Sequence, residues 1–244
     1  MRVHLQRDVD KLKRQILMMS AEVENDLRMA VRGVEDRDEA LARNVIAREP
    51  LIDRMEVDIE EDCLKILALH QPVAADLRYI VSVLKINQDL ERIGDLAVHI
   101  AECGLHLAGP PLISTPFRLG EMADKAQAML RKVLDAFVNL NSAAAREVCA
   151  ADGEIDEINR ETSRQVRKAV AHDPALLDPL LQIMHISRHL ERIADHVTNV
   201  AEDLIYLIEG RIVRHTAEVS AGGPNAVVLN ALSQEKLNGI LHAG

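Results

Sequence analysis

The sequence has no tryptophan, and only two phenylalanines and two tyrosines. A core must therefore be built from Leu, Ile, Val, Met and Ala, side chains that helices accommodate. Glycine (11) and proline (8) are sparse in 244 residues and gather in a few places. The long segments between them show no strand-like alternation. Three cysteines, Cys63, Cys103 and Cys149, are widely spaced and form no CxxC, which excludes a thiolate cluster. They read as small apolar residues in a reducing compartment. Positive charge is in the minority, 29 Lys and Arg against 39 Asp and Glu, and the net charge of −10 argues against nucleic acid as a partner. No uncharged apolar run approaches the ~18 residues that suggest a membrane span. The N-terminal stretch MRVHLQRDVDKLKRQ is charged throughout, unlike a secretory signal. The expectation is a cytoplasmic protein. A Gly-rich phosphate loop, a nucleophile elbow, HExxH and Glu-x-x-His are all missing, so no motif specifies an enzyme or a ferritin-like di-iron centre.

What the chain does have is a long repeat. INQDLERIGDLAVHIAE at 86–102 returns as ISRHLERIADHVTNVAE at 186–202, an offset of 100 residues. A period of that length is a duplicated small domain, not a solenoid unit. The duplication extends upstream, where Ile52-Asp53-Arg54-Met55 answers Ile155-Asp156-Glu157-Ile158 at an offset of 103.

Apolar periodicity predicts six helices. The first spans about 4–34 and carries Leu5, Val9, Leu12, Ile16, Met19 and Val23 on one stripe. The second starts near Asp38, is interrupted at Pro50 and reaches His70; the third spans about 73–107. Three prolines between Gly109 and Pro116 mark a linker. Helices are then expected over about 117–140, 142–171 and 175–214. The fold class is all-α, two tandem, duplicated three-helix bundles placed end to end. The expected organisation is a first bundle over 1–108, a linker over 109–116, a second bundle over 117–214 and a tail over 215–244. The tail has no counterpart in the first copy, and its segment 227–241 is weakly amphipathic.

The most faithfully repeated residues are polar. Glu91, Asp95 and His99 fall at i, i+4 and i+8 on one helical stripe, and Glu191, Asp195 and Asn199 repeat them. The preceding helix of each copy adds Glu49 with Asp53, and Asp152 with Asp156. Glu56 and Glu60 lengthen the first of these stripes, where the second copy has Asn159 and Ser163. Like charges at this spacing repel by a few tenths of a kcal/mol per pair. A hard cation held by carboxylate oxygens (Mg²⁺, Ca²⁺, Mn²⁺ or iron) offsets that repulsion, and His99 tilts the first set toward a transition metal. The bland alternative is a solvated acidic face neutralised by Arg92, Arg188 and Arg192. The retention of Leu-Glu-Arg-Ile-x-Asp in two otherwise divergent copies favours the metal. His185 and His189, also at i and i+4, read as surface or core histidines ahead of zinc ligands.

At DLERIGDLAVHIAE (89–102), LERIADHVTNVAEDL (190–204) and LALHQPVAADLR (67–78) the chain resembles the PhoU-type phosphate uptake regulators, over about residues 5–214. That resemblance implies two similar three-helix bundles bearing metal clusters, of iron, Mn, Mg or Zn, on their surfaces. Carried over by position, it implies Glu49, Asp53, Glu91 and Asp95 at one site, and Asp152, Asp156, Glu191 and Asp195 at the other. His99 stands where such proteins commonly have Asn, and Pro50 makes Glu49 the least secure ligand. The implied function is negative regulation of phosphate uptake and of the phosphate-starvation response. The implied partners are the ATPase subunit of a phosphate ABC transporter, a phosphate sensor histidine kinase and a second copy of the chain; contact with the membrane would run through those partners only. The competing function class is a metal-dependent enzyme or metal store on a helical bundle.

Overall fold

The computed structural model describes residues 2–109 and 117–213. Within them lie α1 (Arg2–Glu35), α2 (Glu39–His70), α3 (Ala75–Leu107), α4 (Leu119–Asn139), α5 (Ser142–His172) and α6 (Leu177–Glu209). A short 3-10 turn over Pro174–Leu176 leads into α6. No strand occurs among the described residues. None of these helices is long and apolar enough to cross a membrane. The linker from Pro110 to Pro116 and the tail from Arg214, including 227–241, lie outside the described residues.

The helix starts follow capping chemistry. Asp38 accepts from the backbone N–H of Ala40 at 2.9 Å and of Leu41 at 3.2 Å, and Asn141 accepts from that of Ala144 at 3.1 Å. Each satisfies donors that the first helical turn leaves open. The α6 stop is likewise local. Gly210 adopts φ 71°, and a side chain there would strike the guanidinium of Arg78. The helix therefore ends at Glu209, short of the expected 214, because a left-handed glycine outweighs the apolar pattern of the residues after it.

The expected interruption of α2 at Pro50 does not occur; the helix runs through it. Proline removes one ladder hydrogen bond and crowds the carbonyl four residues earlier. Here Glu49, Pro50 and Leu51 are all exposed, so water can serve the freed carbonyl. On the inner flank of the same stretch, Arg48 is anchored to Asp26 and Glu22 of α1.

The two bundles are not stacked end to end. α1 packs on α2 and α3, α4 packs on α5 and α6, and α3 lies along α6 in the most extensive helix–helix contact of the molecule. The side-chain pairs Lys85–Asp203, Asp89–Asn199 and His99–His189 show that α3 and α6 run antiparallel. Each of these two helices must therefore bury more than a single stripe. In α3, Leu96, Ala97 and Val98 are buried in succession, which one-sided amphipathicity does not permit. Small residues at Ala97, Ala101, Ala194 and Ala201, all fully buried, let the helices approach closely. Cys63 and Cys103 are buried, and burial pushes their thiols up to about 12 and about 11, consistent with packing roles.

Candidate functional site

The repeated carboxylates sit where two helices of one bundle meet. In the first copy the register of α2 against α3 is fixed by a buried side chain. Asn87, wholly buried, donates to the backbone carbonyl of Glu56 at 2.9 Å. The second copy reproduces the link with different chemistry: buried Ser187 donates to the side-chain oxygen of Asn159 at 2.9 Å. A polar group buried in an apolar seam must be paired, so each link pins its helix pair. Gly94 permits the close approach of α3 to α2; a Cβ there would lie 3.2 Å from Ile52 Cγ2. Ala194 occupies the equivalent position in the second copy.

In this register Asp53, Glu91 and Asp95 converge, with one carboxylate oxygen from each within 4.8 Å of the others. Glu49 stands outside that group and is exposed. Arg92 spans two of the three, 3.4 Å from Glu91 and 3.2 Å from Asp95, so part of the neutralisation expected of a solvated face is present. The charge is still costly. Burial, then Asp95, raises the Glu91 carboxyl above its ordinary range, and Glu56 and Asp53 add to the effect. Glu56 is raised by burial, Glu60 and Asp53. Glu56 is thus part of this acidic group, which the sequence stripe suggested without assigning it a role. Next to the group an open groove of about 730 Å³, between α2, α3 and α6, is lined by Glu56, Lys85, Asp89, Glu91, Arg92 and Glu202, among others.

The second set is assembled differently. Asp152, Asp156, Glu191 and Asp195 do not draw their oxygens as tightly together as the first three do. The Asp152 carboxyl is pushed up to about 6 by burial, then by Asp195, Asp156 and Glu191, and no cation opposes it. Its Oδ1 is buried without a hydrogen-bond partner. Glu191 and Asp195 are raised by burial as well, then by their acidic neighbours, while Arg188 and Arg192 oppose the rise at Glu191, and His196 and Arg192 at Asp195. A buried carboxylate oxygen with no donor, facing three more carboxylates, is chemically suited to a hard cation. The residues of both sets therefore fit a metal, the first by convergence and the second by the buried, unpartnered carboxylate of Asp152 among acidic neighbours.

His99 and Asn199 point elsewhere. The His99 ring stacks on His189 of α6, with centroids 5.3 Å apart. Asn199 donates to Asp89 Oδ1 at 3.3 Å, and His196 Nδ1 lies 2.8 Å from the same oxygen. Both residues serve the α3–α6 seam. Sequence reading missed Asp89 and His196 because the seam joins two copies, and a repeat aligned to itself does not reveal which faces meet.

A family model described as the PhoU domain matches residues 16–104 and 119–204. A phosphate-specific transport system accessory protein PhoU homologue of Clostridium acetobutylicum is 33% identical over 207 residues, covering 84% of this chain and 94% of that protein. The homologue of Pseudomonas aeruginosa is 34% identical over 209 residues, covering 85% of this chain and 86% of that one. The crystal structure of PhoU from Pseudomonas aeruginosa aligns with a TM-score of 0.80 at 33% identity, covering 84% of this chain and 99% of that chain. The crystal structure of the phosphate transport system regulatory protein PhoU from Streptococcus pneumoniae aligns with a TM-score of 0.79 at 28% identity, covering 86% of this chain and 99% of that chain.

Proposed function

The chain belongs to the PhoU family, and on that premise we propose that it is a non-enzymatic accessory protein of a phosphate-specific transport system, a negative regulator of phosphate uptake and of the phosphate-starvation response. In this reading it works as an adaptor, as a dimer in the cytoplasm, between the ATPase subunit of a phosphate ABC transporter and a phosphate sensor histidine kinase. The names its relatives carry, accessory and regulatory protein of a phosphate transport system, support the regulatory part. The carboxylates lie on helix faces beside an open groove, an arrangement suited to docking partners along a surface.

The metal part of the proposal rests chiefly on the convergence of Asp53, Glu91 and Asp95. These three, with Glu56 at their flank, would hold one hard cation or a small cluster. Asp152, Asp156, Glu191 and Asp195 would hold the other. A bound cation supplies positive charge that relieves the repulsion between α2 and α3, and between α5 and α6. The protein's own residues set the helix register through Asn87 and Ser187, and Arg92 holds the first carboxylates in place.

The test is metal content of the purified full chain by elemental analysis, before and after Glu91→Ala with Asp95→Ala. Loss of the metal attributable to the first site, with the second retained, is expected. Unchanged metal content in the double variant contradicts the assignment.

A further inference from the structure

The antiparallel α3–α6 seam relates the two copies by an approximate two-fold axis. The contact between Asp89 and Asn199 therefore has a counterpart between His189 and His99. At the Asp89 end the seam is polar and satisfied, with Asn199 and His196 both on the carboxylate. At the other end three imidazoles gather. His99 of α3 lies 5.3 Å from His189 of α6, ring centre to ring centre, and His185, one turn before His189, lies 6.4 Å from it. His189 Nδ1 is buried and has no hydrogen-bond partner. The duplication has thus replaced a satisfied hydrogen-bonded pair by a histidine cluster with an orphaned nitrogen.

We infer that His99, His185 and His189 form a binding site for a borderline transition-metal ion, of the Zn²⁺, Ni²⁺ or Cu²⁺ class, that ties the two bundles together across the α3–α6 seam. Imidazole nitrogen suits these ions, whereas the carboxylate sets offer only hard oxygen donors. Two imidazoles sharing one ion at about 2.0–2.1 Å hold their ring centres about 5–6 Å apart; His99 and His189 stand at that spacing, whereas His185 at 6.4 Å must move closer and the rings, now 19° and 24° from parallel, must turn to aim their nitrogens at one point. His185 and His189 stand at i and i+4, so one helix face presents both rings to the same ion. As the rings stand, their nitrogens do not all fall within 4.8 Å of one another. His99 and His185 are exposed and can rotate toward the fixed, half-buried His189. The ion would satisfy the His189 nitrogen that the protein leaves unpaired. The site does not depend on the phosphate reading, since it needs only these three side chains.

Co²⁺ titration of the full chain, followed by visible absorption, separates this site from the carboxylate sets. Four-coordinate Co²⁺ with imidazole ligands gives intense d–d bands, while Co²⁺ among carboxylates and water is octahedral and weakly absorbing. The expected result is an intense spectrum saturating at about one Co²⁺ per chain, displaced by Zn²⁺. It should survive Asp95→Asn with Asp195→Asn. His185→Gln, at an exposed position that leaves the packing intact, should weaken binding by about tenfold or more, the least that loss of even an outer partner costs. His99→Gln should do the same from the other helix. Absence of the intense bands in the unsubstituted chain, or bands indifferent to both histidine substitutions, would overturn the inference.

Discussion

Asp152 shows at the scale of one side chain how the acidic motif strains the fold. Its carboxyl is held at about 6 against an ordinary 3.8, so the folded protein grips the proton more tightly than the unfolded chain. The sign follows from linkage: the penalty is absent below about pH 4 and grows as the pH rises through 6, when the group must ionise among other carboxylates. Asp152→Asn should therefore stabilise the metal-free protein at about pH 7 by about 1–2 kcal/mol and do little at about pH 4, while weakening metal binding. Urea melts with and without Mn²⁺ test this; equal destabilisation at both pH values would contradict it. His189 acts in the opposite sense. Burial, then His99, His185 and the nearby Arg192 and Arg188 push its imidazole down to about 4 from 6.5. Its contribution is full above about 6.5 and is lost as the pH falls toward 4, because the unfolded chain takes up the proton first. His189→Gln should flatten the fall in stability across that window without changing the slope above it; a melt series over pH checks this.

At the scale of helices most of the fold is legible in the sequence, and the departures have physical causes. The spans of α1, α3, α4 and α5 fall within a few residues of where periodicity places them. Pro50 misleads because proline is disruptive in most helix interiors, whereas here its turn faces solvent. Gly210 misleads because apolar residues continue beyond it, up to Val213. The ion pairing that ties α2 to α1 was not legible at all. Asp26 is 3% exposed and lies 2.6 Å from Arg48, which also engages Glu22. Nothing in a single helical pattern tells which charged residue of one helix will face another. Arg48→Met should cost about 2–4 kcal/mol, since it strands a buried carboxylate. Asp26→Asn in the same chain should restore part of the loss. Chemical denaturation of the single and double variants measures the coupling.

For the whole molecule, the duplication was evident in Leu-Glu-Arg-Ile-x-Asp, and so were the carboxylates that meet between α2 and α3. The union of the copies was not evident. The length of α3 that is buried on more than one side, Leu96 through Val98, carries the information, but its consecutive apolar run reads equally as one broad stripe. The same seam claims His99 and Asn199, which the sequence groups with the carboxylates because they share a helical stripe. A molecule built this way offers two acidic faces on a closely packed antiparallel spine, a form suited to regulation by contact. The most direct test of that account is a phosphate-responsive reporter in cells lacking the chain, grown in high phosphate. The account predicts derepression, reversed by the intact chain and not by one carrying Glu91→Ala, Asp95→Ala, Glu191→Ala and Asp195→Ala. Full repression in the absence of the chain would contradict it.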